Sequence, residues 1–223
     1  MRAVARCVVF DLWQTLAAWP DERSSELRRA WSERLGVTVG ALEEVWLEPS
    51  VYRLRETGPI ARAIAAVHER LGVEADVERL VADRLEVTRA ALAPVDGALQ
   101  TLGELRRRGI ATAIVSNCTE EVALVWEETP LAGSVDVVVL SAAVGCMKPD
   151  REIYELALAR LGRDASECLF VGDGANDELR GAEAAGMTPV LLAPNGGEPL
   201  WNALRGWRGL RVTSIPQVLD LVA

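Results

Sequence analysis

The chain has 223 residues, is 50% hydrophobic and 26% charged, and carries a formal net charge of −9. That suits one large domain, or a core with an inserted subdomain, which needs neither disulfides nor structural metal to bury its interior. The acidic balance argues against a nucleic-acid partner, and no run of ~18 apolar residues argues for a membrane span.

No secretory leader pattern precedes the first apolar run, so a cytoplasmic setting is expected. Cysteines stand at 7, 118, 146 and 168 with no CxxC pair, and His68 is the sole histidine. A zinc site and a Ser/His or Cys/His nucleophile are therefore not expected. Cys7 and Cys168 lie in apolar runs and read as core thiols, whereas Cys118 and Cys146 flank loops and read as more accessible. His68 lies among Arg62, Glu69 and Arg70 and is expected at the surface.

The first predicted strand covers residues 5–10. Residues 17–93 then show helical periodicity and almost no strand signal, over 24–35, 39–47, 59–71 and 77–91, with Gly36, Gly58 and Gly72 between them. This stretch reads as a helical cap inserted after the first strand, with hinges near Ala17 and Pro94. Trp31 and Trp46 are expected to pack the cap. From residue 96 helices and strands alternate. A helix over 97–108 precedes a strand over 110–116. Thr119 is placed to cap the next helix. A strand over 135–140 follows, then a helix capped by Asp150 and closed by Gly162. After the strand at 168–172, Asp177 opens a helix closed by Gly186, and a strand covers 188–192. The tail holds a loop over 194–199, a short strand near 210–213 and a final helix from about Pro216. Trp201 and Trp207 read as packing anchors.

The strand runs are Val/Ile/Leu-rich and unbroken, as parallel strands covered on both faces should be. The expected fold is a doubly wound parallel α/β sheet with a Rossmann-type core over 1–16 and 94–223 and a helical cap over 17–93. Ligands of such sheets bind at the C-terminal strand edge.

Four segments fall at that edge. Asp11 follows the first strand and precedes a turn with Thr15, an exit that aims a carboxylate into the cleft as a nucleophile. Ser116 and Asn117 end the second strand just before a helix N-terminus, where a hydroxyl and free N–H groups make an anion cradle. Lys148 precedes a helix start, where the macrodipole disfavours a cation unless an anion is near. Asp173 and Asp177 flank the Gly174–Asn176 turn after the fourth strand. Two acids there, facing Asp11, are costly without a cation, and Mg²⁺ fits because it takes few carboxylates and bridges to substrate phosphate.

With these segments in order, the chain resembles the haloacid dehalogenase superfamily of hydrolases, in the subgroup with a helical cap after the first motif. The resemblance rests most on Phe170–Gly186 and on Lys148–Tyr154. It implies that Asp11 attacks the electrophile and that Ser116 and Asn117 hold the transferring group. It further implies that Lys148 offsets negative charge and Thr15 orients the first loop. Asp11, Asp173, Asp177 and the backbone carbonyl of Trp13 would hold Mg²⁺. The implied partner is a small, anionic substrate, with neither nucleic acid nor membrane; oligomeric state stays open.

Trp13 departs from the family. Its phosphatases place there an aspartate that protonates the leaving oxygen, which indole cannot do. Its dehalogenases carry a tyrosine at that position, lack the acid at the position of Asp173, and use a cap arginine to receive halide; Arg28, Arg29 and Arg34 are candidates. Three readings follow: a Mg²⁺-dependent phosphatase without its usual general acid, a metal-independent hydrolase acting at carbon, and a non-catalytic binding or regulatory protein.

Overall fold

The computed structural model describes residues 5–74, 76–194 and 196–222. Six parallel strands form one sheet: β1 (Cys7–Phe10), β2 (Ala111–Ser116), β3 (Val137–Leu140), β4 (Cys168–Gly172), β5 (Thr188–Leu192) and β6 (Leu210–Val212), in the order β3-β2-β1-β4-β5-β6. Among the described residues, α-helices accompany them: α1 (Asp21–Leu35), α2 (Val39–Trp46), α3 (Pro49–Glu56), α4 (Ile60–Leu71), α5 (Val77–Ala91), α6 (Ala98–Arg107), α7 (Glu120–Val125), α8 (Ser141–Val144), α9 (Arg151–Leu161) and α10 (Glu178–Ala184).

The continuous apolar runs are explained by burial on both faces. Val8 and Phe10 of β1 point into one hydrophobic cluster with Leu102 and Leu105 of α6 and Val122 and Val125 of α7. Cys7 and Val9 point into a second with Ile153 and Tyr154 of α9 and Leu179 and Ala182 of α10. Side chains alternate across the strand, so both sets must be apolar for the sheet to be covered twice. Cys7 and Cys168 stand side by side in the β1–β4 register.

Strand order reverses at β1, whose chain-order neighbour β2 lies on one side and β4 on the other. That is the switch point where a crevice opens at the C-terminal strand ends. Asp11 leaves β1 with its N–H donated to the Val171 carbonyl of β4 at 2.8 Å. The loops after β1 and β4 are thereby fixed side by side.

Helices α1–α5 pack around a cluster of their own, with Trp31, Leu42, Trp46, Ile60, Ile64 and Val67 at its centre. Among the described residues none of this stretch joins the sheet. Isolated bridges link Trp13 to Ala17 and Ala17 to Pro94 where the chain leaves and re-enters the core. Polar ties reach across: Arg53 to Asp150 at 2.9 Å, the Ile60 N–H to Glu120 at 3.0 Å, Arg89 to Glu128 at 2.7 Å, and Arg84 to Glu121.

Several sequence expectations are corrected. Helix α3 lies where no helix was expected; Pro49 sits at its first turn, a position that needs no amide proton. His68 is buried, not at the surface: its Nε2 accepts from the Trp31 indole at 3.3 Å, a neutral role that suits the interior. Cys118 and Cys146 are buried too, since the loops they flank fold back onto the core. Thr119 and Asp150 occupy N-cap positions without side-chain capping bonds. Their oxygens instead accept from Arg84 and Arg53 of the helical stretch. The final helix is a 3-10 segment, Ile215–Asp220. Of the expected tail loop over 194–199, Asn195 lies outside the described residues.

Candidate active site

Asp11 and Asp173 project from the ends of neighbouring strands, and Glu178 joins them at the start of α10. The three are buried, and a carboxylate oxygen from each lies within 4.8 Å of the others. The Lys148 ammonium is bonded to two of them, Asp11 and, at 2.5 Å, Glu178. Three carboxylates against one ammonium leave excess negative charge in the interior, which is costly unless a proton or cation offsets it.

The titration of these groups reflects that excess. Burial, followed by Asp173, outweighs Lys148 and raises the Asp11 carboxyl above its ordinary range. Burial and Asp11 push Glu178 up to about 8. Burial works against the Lys148 charge, but Asp11 and Glu178 outweigh it and hold the ammonium above its usual value.

The local chain is built around this cluster. A Cβ on Gly172 would overlap the Glu178 carboxylate, and one on Gly174, at φ +88°, would overlap Leu204 of the tail. The Gly174 N–H donates to Glu178 Oε1 at 2.9 Å. Asp173 accepts from the Ala175 N–H at 3.0 Å and from the Trp201 indole at 2.9 Å.

Asn117 exchanges two backbone bonds with Lys148: Nδ2 donates to its carbonyl at 2.8 Å, and Oδ1 accepts its N–H at 2.7 Å. Its amide thus holds the lysine loop against the end of β2. Ser116 is fully buried and donates to the Asn117 carbonyl at 3.2 Å; Thr15 is buried beneath the first loop, its hydroxyl without a protein partner. Neither lines the cavity described next.

Asp177 stands apart. A 3-10 turn, Ala175–Asp177, places Asn176 and Asp177 in left-handed backbone conformations. The Asp177 carboxylate turns outward, 66% exposed and 3.9 Å from Arg180, while Glu178 turns inward. Trp201 also departs from its expected role: it is 45% exposed and reaches Asp173. Trp207 does pack, partly buried beside the α9–α10 cluster, with its indole on the Leu210 carbonyl at 3.0 Å.

A cavity of about 440 Å³ opens over the cluster between the sheet edge and the helical stretch. Asp11, Lys148, Asp173 and Glu178 form its floor. Trp13, Trp19, Trp31, Trp46, Tyr52 and Trp201 line it, as do Arg28, Arg55 and Arg84. Tyr52, Arg55 and Glu56 all come from α3, the helix missing from the sequence reading. Arg55 is sandwiched between Trp46 and Tyr52, 4.7 and 4.6 Å from their ring centres, and pairs with Glu56 at 3.1 Å. Of the three arginines read as anion receivers, Arg28 lines the cavity. Arg34 pairs with Asp83, and Arg29 is exposed.

The sequence matches the haloacid dehalogenase-like hydrolase family over residues 5–186. The chain belongs to that family. An (S)-2-haloacid dehalogenase from Pseudomonas sp. (strain YL) is 29% identical over 229 residues, 96% of this chain and 93% of that protein. A glyceraldehyde 3-phosphate phosphatase from Methanopyrus kandleri is 30% identical over 202 residues, 84% of this chain and 83% of that one. The crystal structure of an HAD phosphatase from Thermococcus onnurineus covers 96% of both chains with a TM-score of 0.72 at 22% identity, a likeness of fold. Local identity is higher over shorter stretches: one relative is 38% identical over 102 residues, yet only 43% of its length is spanned. The chain thus spans less than half the length of some curated relatives it matches, and the relatives of this family member include proteins named as phosphatases and a dehalogenase.

Proposed function

We propose that this hydrolase is a Mg²⁺-dependent phosphatase acting on a small anionic molecule through an Asp11 phosphoryl-enzyme. The observation that carries the reading is the convergence of Asp11, Asp173 and Glu178 on one another beneath a cavity, with Lys148 bonded to Asp11 and Glu178. Hard oxygen donors with surplus negative charge fit a Mg²⁺ ion, which would shield charge on the transferring group. Asp11 and Asp173 would hold the ion, with the Trp13 carbonyl as the family pattern implies. Glu178 takes the place assigned to Asp177 in the sequence.

The chain's own residues divide the work. An Asp11 oxygen attacks phosphorus, the phosphorus–oxygen bond to the leaving group breaks, and water later cleaves the acyl-phosphate to release phosphate. Lys148 offsets the charge of nucleophile and phosphoryl oxygens. Asn117 fixes Lys148, while Ser116 and Thr15 shape the loops that hold the group. Residues 17–93 act as the cap, whose closure excludes water. Free, buried thiols suit a reducing, cytoplasmic setting; no helix of the described residues is long and apolar enough to cross a membrane.

A second reading, displacement at carbon without metal, draws on Trp13 in place of an acid and on Arg28 in the cavity. A screen of phosphate monoesters, acyl phosphates and 2-haloacids, each with Mg²⁺ and with chelator, separates the two. Phosphate release that needs Mg²⁺ is the expected result; halide release that survives chelator would replace the proposal.

A further inference from the structure

Five of the seven tryptophans line the one cavity above Asp11. Trp31 and Trp46 are buried in the cap cluster, but Trp19 and Trp201, which also line the cavity, are 44% and 45% exposed. Trp13 meets Trp19 edge to face with ring centres 5.2 Å apart. Scattered exposed apolar side chains are ordinary, but a cluster at the mouth of a cavity marks a surface for an apolar ligand.

The charges in the same cavity are equally informative. Arg28 is paired with Glu43 at 2.9 Å. Arg55 is paired with Glu56 and donates to the Trp46 carbonyl at 3.0 Å. Arg84 is paired with Glu121, and Lys148 with Asp11 and Glu178. Every cation lining the cavity therefore already faces a carboxylate. A second phosphate or a carboxylate on the substrate would have to displace one of those partners, several of them buried, and leave it unpaired. Apolar surface awaits the rest of the substrate, and only on the floor, where Asp11 and Asp173 would hold the Mg²⁺ of the reading above, would one anionic group find unspent positive charge.

Trp13 points the same way. Residue 13, where the family's phosphatases carry an acid, is an indole with no proton to give a departing alkoxide. An aryloxide leaves without that proton, and its ring fits the indole-lined wall.

We infer that the substrate is an aryl phosphate monoester: one phosphoryl group on a flat aromatic body without a second anionic group. The inference rests on the phosphatase reading above and narrows it. The Asp11 oxygen forms its bond to phosphorus as the aryl oxygen departs with the electron pair and is protonated by solvent. Water then hydrolyses the acyl-phosphate.

Turnover of acetyl phosphate and of 2-naphthyl phosphate, and binding of phosphonates, test the inference and its foundation separately. Acetyl phosphate turnover in Mg²⁺ tests the phosphatase reading without an aromatic group. Calorimetric binding of three non-hydrolysable phosphonates in Mg²⁺ tests the substrate class: methylphosphonate, 2-naphthylmethylphosphonate and 3-phosphonopropionate. Naphthylmethylphosphonate is expected to bind at least about tenfold more tightly than methylphosphonate, from apolar burial, and phosphonopropionate no more tightly than methylphosphonate. Trp19→Ala, with folding checked by thermal melting, should shrink the naphthyl preference. If acetyl phosphate is hydrolysed but the naphthyl compound shows no preference, or phosphonopropionate binds best, the aryl assignment is wrong and the phosphatase reading stands. If acetyl phosphate is not hydrolysed and 2-naphthyl phosphate is not either, both fall.

Discussion

The indole of Trp201 donates a hydrogen bond to Oδ2 of Asp173 at 2.9 Å, tying the tail to the carboxylate that leaves β4. Leu204 closes the same contact by covering Gly174. A donor that orients a metal-binding carboxylate typically changes metal affinity by 10–100-fold when removed. Trp201→Phe keeps a ring and deletes the N–H, so Mg²⁺ affinity, measured calorimetrically, should weaken by roughly tenfold. Unchanged affinity would mean that the contact packs the tail and nothing more.

The three-carboxylate cluster should make the protein's stability respond to Mg²⁺. Asp173→Asn removes one negative charge from a buried cluster but sets an amide NH2 against one of the two N–H donors on Asp173, a cost of about 1–3 kcal/mol that offsets the relief, so the metal-free melting temperature should change little in chelator. Mg²⁺ should raise the wild-type melting temperature and leave the variant unmoved, because only a site that binds the ion gains stability from it. Equal Mg²⁺ shifts in both proteins would place the ion elsewhere.

Replacing Trp13 tests the missing acid. Trp13→Asp restores a titratable group, and alkyl phosphate hydrolysis should rise toward the roughly 10²–10⁴-fold worth of general acid catalysis. The lost edge-to-face pair with Trp19 should cost about 0.5–1.5 kcal/mol beyond the lost burial, so melting must be followed alongside rate. In the wild type, rates should depend steeply on leaving-group acidity. Equal wild-type rates on alkyl and aryl phosphates would show that another residue supplies the proton.

His68 supplies a pH dependence away from the site. Burial lowers its pKa, and as a neutral acceptor of the Trp31 N–H it has no use for a second proton. The folded pKa lies below the unfolded value of about 6.5, so the unfolded chain binds more protons in acid. The contribution is full above that value and falls away as pH drops below it. His68→Gln retains an acceptor that cannot charge, and should flatten the fall in melting temperature between about pH 6.5 and 5. An unchanged profile would assign that fall to the carboxylates.

The sheet was legible because its strands are continuous apolar runs, a pattern that two-sided burial demands and surface segments do not show. That Asp11, Lys148 and Asp173 come together at one sheet edge was legible because each stands at a strand end or loop in a fixed order. Helix α3 was not: its eight residues hold only Val51 and Leu54 as aliphatic signals, while Arg55 and Glu56 are buried through each other, a pairing invisible to hydropathy. Glu178 was passed over for Asp177 because the left-handed conformations at Asn176 and Asp177 decide which of two adjacent acids faces inward. Gly172, which leaves room for the Glu178 carboxylate, was the available clue. His68 looked exposed from its charged neighbours in sequence, yet its own face of α4 turns to Trp31. The role of Trp201 depends on how the tail returns to the site, and no local pattern encodes that.

The phosphoryl-enzyme is the central claim, and acid-quench mass spectrometry reads it most directly. The protein is mixed with acetyl phosphate and with 2-naphthyl phosphate in Mg²⁺, quenched within the first turnovers, digested, and mapped. One phosphoryl group on the peptide carrying Asp11, absent with chelator and absent in Asp11→Asn, is the expected result. Turnover with no phosphoryl group on that peptide at any time, or label on a different residue, would contradict it.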